Sequence, residues 1–325
     1  MRSFSKNKRR QKPDTALVAL WLGIWIFLSV FVLYPLARLI YVVFFSDGGV
    51  SLAVLNKVFS SWYNRKAFIN SLILASAVGI SGTAFGFLFA FSVTRINLPK
   101  IVKWFISAII VLPFVSPPFT SSIALTMVLG PNGLLLKLLH IPDFNIYGFL
   151  GTWIAETLTY FPVAFLTLTA VLQAIDPNLE DAAMSMGSTA WHTFCTVTLP
   201  LSIPGLANAF LLLFGSSLAD FATPLVMAGH TFPVLPTQAY MQITGMYDIQ
   251  GGAAISFVLL VPALIVYLLQ HYWVEGRYYV TVSGKAGARS KPKGAGTIAE
   301  AVMLAVISFI SLFIIFLYSI IFLGS

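Results

Sequence analysis

The stretch 176–205 reads DPNLEDAAMSMGSTAWHTFCTVTLPLSIPG, and it carries most of the information on the fold. Asp176 is a suitable N-cap, and Pro177 after it fits the first turn of a helix. Glu180 and Asp181 then lie early in that helix, where negative charge complements the helix dipole. The local chemistry therefore predicts a short helix with acidic residues near its start rather than a flexible loop.

A second short helix is predicted to follow the first in the same stretch. Gly187 can break the first helix, Ser188 can cap the second, and Pro200 marks the start of a membrane span. Helical spacing places four residues on one side: Met184, Gly187, Trp191 and Phe194. The predicted product is a compact apolar surface that is edged by carboxylates.

The composition of the whole chain is that of a membrane protein. Hydrophobic residues make up 58% of the 325 residues and charged residues only 9%, whereas ordinary soluble domains carry about 25% charged residues. A helix needs roughly 20 consecutive apolar residues to cross a bilayer. Seven segments supply such runs: 16–45, 67–94, 104–129, 147–175, 201–227, 251–270 and 301–322. We therefore expect an all-α integral membrane protein.

The formal net charge of +8 comes from cations that lie mostly beside the apolar segments. Six Lys and Arg residues lie in the N-terminal tail, three between Arg95 and Lys103, and five between Arg277 and Lys293. This distribution follows the positive-inside rule, and it indicates a cytoplasmic N terminus rather than binding to nucleic acid. The same topology places residues 176–200 in the cytoplasm, although that loop contains no Lys or Arg.

Cysteine and histidine are too sparse for redox or metal chemistry. Cys195 is the single cysteine, which excludes an internal disulfide, and we expect a small buried side chain there rather than a reactive thiol. The four histidines stand too far apart for a familiar metal-ligand pattern, so no metal site is expected. The sequence also lacks a nucleotide-binding P-loop, because Gly284 and Lys285 are followed by Ala286.

The loop at 176–200 resembles the EAA loop of binding-protein-dependent ATP-binding-cassette (ABC) importers. The pattern of that loop is Glu-Ala-Ala, three residues, Gly, nine residues, Ile, one residue, and Leu-Pro. This chain has Asp181-Ala182-Ala183, Gly187, Val197 and Leu199-Pro200 at the matching spacings. Asp181 and Val197 are conservative departures from the Glu and the Ile of the pattern.

The resemblance implies a fold and a set of partners. The fold would be the six-helix transmembrane unit of type I (MetI-like) importers, with a seventh C-terminal helix added. The loop would be a coupling helix in a groove of an ABC ATPase subunit. That subunit would bind ATP and Mg²⁺, so this chain would carry no cofactor and no enzymatic activity. Further implied partners are an extracytoplasmic solute-binding protein on the outside loops 46–66 and 228–250, a second permease half or copy, and the bilayer of a bacterial inner membrane.

The resemblance also assigns the residues that would engage the ATPase: Glu180, Asp181, Ala182, Ala183, Gly187, Phe194, Val197, Leu199 and Pro200. Asp181 would meet donors on the ATPase, the two alanines would permit close approach, and Gly187 would set the bend. The alternative is an amphipathic connector that lies on the membrane, but such helices usually carry basic rather than acidic polar faces.

Three shorter pieces resemble the ferric-iron branch of these permeases: 218–229 (LADFATPLVMAG), 234–240 (VLPTQAY) and 278–285 (YYVTVSGK). The wider resemblance covers most of residues 60–285, and the branches for aminoalkylphosphonates, thiamine and polyamines share it. Ala222 stands where the iron branch would have Gly. Ferric iron is the substrate that the resemblance favours.

Polar residues in the predicted spans are candidates for a translocation pathway, because buried charge in a membrane usually faces protein or water rather than lipid. The candidates are Glu156, Asp220 and Asn208. Glu156 could equally form a hydrogen bond between helices, and Asp220 could cap the end of its span. Pro113, Pro117 and Pro118 are expected to interrupt regular helical hydrogen bonding in the third span.

One face of the second span carries small residues at helical spacing: Ala75, Gly79, Gly82, Gly86 and Ala90. Another helix can approach closely along such a face. We expect this approach to be packing inside the subunit rather than an interface between subunits.

The expected organisation has four parts: a basic cytoplasmic tail (1–15), a six-helix permease domain (16–275) with the coupling loop at 176–200, a basic linker (276–298) and the seventh helix (299–325). Glycine and basic residues in 283–296 indicate a flexible linker. Our hypothesis is that the seventh helix opens a second, incomplete copy of the unit, as in double-length permeases.

Two other classes of function compete with an ABC permease. A secondary transporter driven by an ion gradient could use Glu156 and Asp220 to carry protons, but the ordered pattern from Asp181 to Pro200 would then be accidental. A membrane enzyme fits less well, because no paired carboxylates, His cluster or activated nucleophile converge in the sequence.

Overall fold

The computed structural model describes residues 15–46, 49–117, 119–131, 133–140, 144–274 and 297–324. Within these ranges, seven helical segments are long and apolar enough to cross a membrane: Ala16–Phe44, Trp62–Arg95, Thr120–Leu138, Phe149–Ala174, Ala190–Ala219, Ile249–Tyr272 and Glu300–Leu323. The prediction of a six-helix membrane unit with a seventh helix is confirmed. The basic tail and nearly all of the predicted linker lie outside the described residues.

The helices follow the apolar segments, because a helix satisfies its backbone polar groups internally where no water is present. The first group is α1 (Thr15–Leu28), α2 (Tyr34–Phe44), α3 (Ala53–Ser60), α4 (Trp62–Arg95), α5 (Lys100–Val115), α6 (Thr120–Leu129) and α7 (Leu134–Leu139). The second group is α8 (Phe149–Ala174), α9 (Pro177–Ser185), α10 (Ala190–Thr193), α11 (Leu199–Ala219), α12 (Ala222–Met227), α13 (Leu235–Thr244), α14 (Ile249–Leu268) and α15 (Thr297–Gly324).

Short elements connect or extend these helices. Three π-helical segments, Ser29–Leu33, Phe194–Thr198 and Leu269–Val274, lie next to α2, α11 and α14. Strands β1 (Phe45–Ser46) and β2 (Gly49–Val50) form a small antiparallel hairpin with Phe45 opposite Val50.

The core of the bundle is the contact of α4 with α8 and α11. A Cβ atom at Gly86 would lie 2.8 Å from the Phe165 backbone nitrogen, and one at Gly79 would lie 2.7 Å from the Phe210 ring. Gly82 faces Leu213 just as closely. The small face of the second span therefore packs inside the subunit, as predicted.

The single predicted segment 104–129 corresponds to two helices, α5 and α6, and only α6 lies in the membrane-crossing segment Thr120–Leu138. Pro113 lies inside α5, and Ser116 ends that helix with an extended backbone (φ −74°, ψ 157°) because it precedes Pro117. The chain turns helical again at Thr120. The expected interruption by proline is confirmed, and it divides the predicted segment.

The seventh helix is integrated into the bundle, whereas the first span is exposed. Ile307, Ile314 and Leu317 of α15 are each 1% exposed. The Tyr318 hydroxyl lies 2.7 Å from Ser116 Oγ, at the break between α5 and α6, and 3.3 Å from Ser121 Oγ. In the first span, by contrast, none of the most apolar stretch is buried.

Candidate functional site

Helix α9 begins as the sequence predicts. Asp176 has an extended backbone, and its Oδ1 accepts a hydrogen bond from the Asn178 backbone amide at 3.0 Å. Pro177 occupies the first turn, where the missing amide hydrogen breaks no helical hydrogen bond. The short helix between α8 and α11 therefore has a well-formed N-cap.

Gly187 ends α9 in a left-handed backbone conformation with φ +89°. The Gly187 amide donates to the Met184 carbonyl at 3.0 Å, and the Ser188 amide donates to the Ala183 carbonyl at 3.2 Å. These bonds satisfy carbonyls at the end of the helix. Glycine suits this position because any L side chain would be strained at such a φ. The predicted break is confirmed.

The cap of the second helix is Thr189 rather than Ser188, so that part of the prediction is wrong. Ser188 is held in the preceding turn by its bond to the Ala183 carbonyl. Thr189 has the extended backbone that an N-cap requires (φ −71°, ψ 158°), and its Oγ1 accepts from the His192 amide at 3.3 Å.

The second helix runs without a break into the fifth span, which covers Ala190–Ala219. Pro200 lies in the first turn of α11 and does not mark the start of the span. The wider π-helical turn before it leaves room for the proline ring. The fifth span also ends before the predicted bound at residue 227, since α11 stops at Ala219 and α12 is a separate helix.

An ion pair joins α9 to the second span. Arg95 Nη2, in the last turn of α4, lies 3.0 Å from Glu180 Oε1, and Thr198 Oγ1 donates to the same oxygen at 2.8 Å. The Arg95 and Glu180 side chains are 13% and 15% exposed, so water screens the pair only in part. Glu180, which was predicted among the ATPase-facing residues, contacts its own chain in this structure.

The other predicted coupling residues divide between two sides of the segment. Ala182, Gly187 and Pro200 are exposed, whereas Ala183 is buried against the bundle. The half-buried members are Asp181, Phe194, Val197 and Leu199. Cys195 is exposed, so the expectation of a buried side chain is wrong there. The inward position in this turn belongs to Phe194, which packs on the second span.

Three large apolar side chains of α9, α10 and the turn between them are exposed: Leu179 by 44%, Met186 by 83% and Trp191 by 70%. We call Leu179, Met186 and Trp191 the apolar tip. Phe194 points inward, with its ring centroid 5.4 Å from that of Phe91, and Trp191 stacks on it at 5.4 Å. Of the residues predicted to form the apolar surface, Trp191 is exposed, whereas Met184 and Phe194 are half-buried. Leu179 and Met186, which the prediction did not include, complete the exposed surface.

Two of the predicted pathway residues lie together between α8 and α11. Glu156 is 0% and Asp220 7% exposed, and the two carboxyl groups are close enough for their charges to interact. Ser217 Oγ donates to Glu156 Oε2, and Tyr160 lies near enough to the Asp220 carboxyl group for the two to interact electrostatically. We call these four residues, Glu156, Tyr160, Ser217 and Asp220, the acidic cluster.

Both structural roles that the sequence left open for the carboxylates are present. Glu156 makes its hydrogen bond across the helix interface, and Asp220 Oδ1 caps α12 by accepting from the Ala222 and Thr223 amides at 2.9 and 3.2 Å. Sequence reasoning missed Tyr160 and Ser217. Helical spacing could have identified them, since Tyr160 lies one turn from Glu156 and Ser217 lies one turn from Asp220, each pair on one face.

Asn208, the third predicted pathway residue, lies apart from the acidic cluster. Its Oδ1 accepts a hydrogen bond from Gln270 Nε2 at 2.8 Å, which connects α11 to the segment Leu269–Val274. Nine residues along α11 separate Asn208 from Ser217, a distance of about 14 Å. The structure therefore does not group the three candidates in one place.

At the end of the bundle opposite α9, the two predicted outside loops meet in a polar groove of about 380 Å³. The polar side chains that line it are Lys57, Ser61, Tyr63, Asn64, Gln238, Gln242, Asp248 and Gln250. The first four come from α3, the residue that follows it and the first turn of α4, and the others from α13 and the start of α14. The fold thus brings both loops to one surface.

Known proteins match this chain in sequence over most of its length. The family described as binding-protein-dependent transport system inner membrane component matches residues 82–278. The ferric transport system permease protein FbpB of Actinobacillus pleuropneumoniae is 34% identical over 291 residues, which cover 87% of this chain and 42% of that protein. The probable sulfate transport system permease protein cysT of Chlorella vulgaris is 30% identical over 212 residues, covering 62% of this chain and 77% of that protein.

Known structures match the fold. A chain of a bacterial alginate ABC transporter, in complex with an alginate pentasaccharide-bound periplasmic protein, superimposes with a TM-score of 0.70 at 19% identity, covering 84% of this chain and 97% of that one.

This chain spans less than half the length of the ferric relative. The family match covers more than half of the chain. The chain therefore belongs to the binding-protein-dependent transport system inner membrane component family.

Proposed function

We propose that this chain forms part of the translocation pathway of an ABC importer that carries ferric iron across a bacterial inner membrane. The observation that carries the proposal is the 34% identity to a ferric transport system permease over 87% of this chain. The coupling segment supports the ABC mechanism independently, because the helix α9 and the turn at Gly187 have the shape that the EAA pattern implies.

An ABC ATPase subunit would dock at the α9 end of the bundle. The apolar tip supports this role, since large exposed apolar side chains beside polar ones are typical of protein interfaces. Exposed Ala182 would let the partner approach the helix backbone. ATP and Mg²⁺ would bind to that partner, and this chain would supply the route rather than the hydrolysis. In this orientation α9 and the N terminus both lie in the cytoplasm.

A solute-binding protein would dock at the opposite end, over the polar groove. The groove offers amide and charged side chains from two loops, and interface rims are rich in such groups. Delivery there, closure of the ATPases and release at the α9 end together make an alternating-access cycle.

The acidic cluster supports a cationic cargo over an oxyanion such as sulfate. Carboxylates in a region of low dielectric repel an anion strongly, which also disfavours an aminoalkylphosphonate. Thiamine and polyamines are cations, so the cluster does not separate them from iron. The identity to the ferric relative makes that distinction.

The length of the ferric relative supports a second unit that completes the pore, because the matched region is 42% of that protein. In this arrangement α15 would be the first helix of the second unit. Its packing against the break in the third span would fix the two units relative to each other.

Uptake of radioactive ferric iron by membrane vesicles tests the proposal. We expect uptake that requires ATP and persists when an ionophore collapses the ion gradients. We also expect the permease to co-purify with an ATPase and a binding protein. Uptake that survives ATP depletion but is lost with the ionophore would instead establish a secondary transporter. Uptake of sulfate without iron would overturn the ferric assignment.

A further inference from the structure

We infer that the acidic cluster of Glu156, Tyr160, Ser217 and Asp220 is a transient binding site for the transported cation inside the membrane. Its oxygen ligands suit a hard trivalent ion. The inference rests on the proposed function, because it names the residues of this chain that hold the cargo during import.

The first observation is that the two carboxylates lack a counter-ion. Neither Glu156 nor Asp220 forms an ion pair with a Lys, Arg or His side chain in the part of the chain that the structure describes. Both are nevertheless buried and lie within reach of each other's charge. Two buried carboxyl groups this close cannot both be charged without a neighbouring cation. A multivalent cation that binds between them would therefore displace the proton that the pair holds, and that proton would pass to water.

The second observation is a free ligand atom. Glu156 Oε1 is fully buried and has no hydrogen-bond partner among the described residues, whereas Oε2 accepts from Ser217. A buried polar atom without a partner is costly and rare. The Thr223 hydroxyl, next to the Asp220 cap, is also buried without a partner in the described chain. The cluster therefore has spare oxygen atoms that a cation could use.

The third observation is that these groups are held in place before any ion arrives. Asp220 is fixed by the two backbone amides that it caps, and Ser217 fixes the other carboxylate from the facing helix. Oxygen ligands held in this way bind a hard cation without first having to be ordered. Tyr160 lies near the Asp220 carboxyl group and adds a phenolic oxygen to the set.

The ligand set also suits an ion that has to leave again. Within the described ranges, no three His, Cys, Asp or Glu side chains lie close enough together to hold a resident metal ion. Two carboxylates with hydroxyl oxygens bind less firmly, and transport requires a site that releases its ion. If Tyr160 coordinates as a phenolate, its proton passes to water as the iron–oxygen bond forms.

The position of the cluster fits arrival from the polar groove. Glu156 lies seven residues into α8, about 10 Å from the first residue of that helix. Asp220 directly follows the last residue of α11. Both therefore lie nearer to the end of the bundle that carries the groove than to the α9 end.

Uptake by the complete transporter tests the inference. The permease would be reconstituted in liposomes with its ATPase and its binding protein, and radioactive ferric iron would be supplied outside. Glu156→Gln and Asp220→Asn keep the size of each side chain and remove its charge, and each should lower uptake about tenfold or more. Ser216→Ala is a matched control for Ser217→Ala, because the Ser216 hydroxyl bonds to the Leu212 carbonyl of its own helix.

A spectroscopic measurement separates ligation from a structural role. Ferric iron added to the purified permease should give the visible charge-transfer absorption of an iron–tyrosinate pair, and Tyr160→Phe should abolish it. Binding-protein-stimulated ATP hydrolysis identifies folded variants. If the wild type imports iron and folded Glu156→Gln and Asp220→Asn variants keep uptake within about twofold, the inference fails while the proposed function stands. If the wild type imports no iron, the proposed function fails, and the inference fails with it.

Discussion

Arg95 Nη2 and Glu180 Oε1 lie 3.0 Å apart, and they connect the end of the second span to the short helix that follows the fourth. Thr198 binds the same carboxylate from the π-helical segment. Three separate parts of the chain therefore meet at one largely buried oxygen. If the proposed ATPase displaces α9, the displacement would reach the second and fifth spans through this contact as well as through the backbone.

Breaking this ion pair should uncouple transport. Arg95→Gln leaves the partly buried Glu180 without its counter-ion, and we expect a loss of about 1–2 kcal/mol in stability, below the value for a fully buried pair because of partial screening. The ratio of ATP hydrolysed to iron imported should rise several-fold in proteoliposomes. The double variant Arg95→Glu with Glu180→Arg should regain part of the coupling. Equal defects in the single and double variants would argue against a direct pair.

The turn at Gly187 should tolerate no side chain. Gly187→Ala places a Cβ at φ +89°, which costs about 1–2 kcal/mol, and Gly187→Asp adds a charge at the exposed turn. We expect both variants to insert in the membrane at normal levels and to lose substrate uptake. Gly23→Ala, in the first span where a Cβ meets nothing within 4 Å, is the matched control. Normal uptake by Gly187→Asp would remove the coupling role of this turn.

Close packing along α4 predicts a different defect at Gly86. A Cβ there would lie 2.5 Å from Ala164 Cβ and 2.8 Å from the Phe165 nitrogen, so Gly86→Ala forces α4 and α8 apart and should cost about 1–3 kcal/mol. At Gly215 the nearest atom is 3.9 Å away, and Gly215→Ala should be close to neutral. Thermal unfolding in detergent measures both. Similar melting temperatures for the two variants would contradict this packing.

The Tyr318 hydroxyl should stabilise the seventh helix on the bundle. Tyr318→Phe removes its contacts with Ser116 and Ser121, with an expected loss of about 1 kcal/mol. The exposed Tyr272 provides a control, Tyr272→Phe, that should leave the melting temperature unchanged. Limited proteolysis between α14 and α15 adds a second readout. Retention of α15 in both variants after cleavage, at equal detergent concentration, would show that the hydroxyl contributes little.

The exposure of Cys195 gives a test of orientation. A membrane-impermeant thiol reagent should label this residue in inside-out vesicles and leave it unlabelled in right-side-out vesicles, because its segment is proposed to face the cytoplasm. Cys195→Ser should abolish all labelling, since the chain has a single cysteine. Labelling only from the outside would invert the proposed topology.

The sequence predicts the number of spans and most of their positions because hydrophobic length is a direct consequence of bilayer thickness, but the bounds of the third and fifth spans differ from the prediction. The cap at Asp176 and the break at Gly187 are equally local, since each depends on a few neighbouring residues. The assignment of the cap to Ser188 fails because two neighbouring local structures, the end of one helix and the start of the next, compete for that residue. The turn that closes α9 uses the Ser188 amide and shifts the start of the next helix by one residue.

Partners that are distant in sequence could not be predicted in the same way. The sequence places Glu180 in an acidic loop without cations, but its counter-ion is Arg95, which comes from the end of a different span. In the acidic cluster, Glu156 and Asp220 stand out in the sequence as charges in apolar segments. Their proximity depends on how α8 crosses α11, and no local pattern encodes that crossing.

The unbroken helix from Ala190 to Ala219 has a mechanical consequence. Thirty residues form a rod of about 45 Å, with the proposed ATPase contact at one end and Asp220 just beyond the other. If this helix tilts as one body about its contacts with α4 and α8, a small tilt at Ala190 would move the opposite end in the contrary direction. Asp220 would thereby move away from Glu156 on α8, and the acidic cluster would bind an ion less tightly as a result of the same movement.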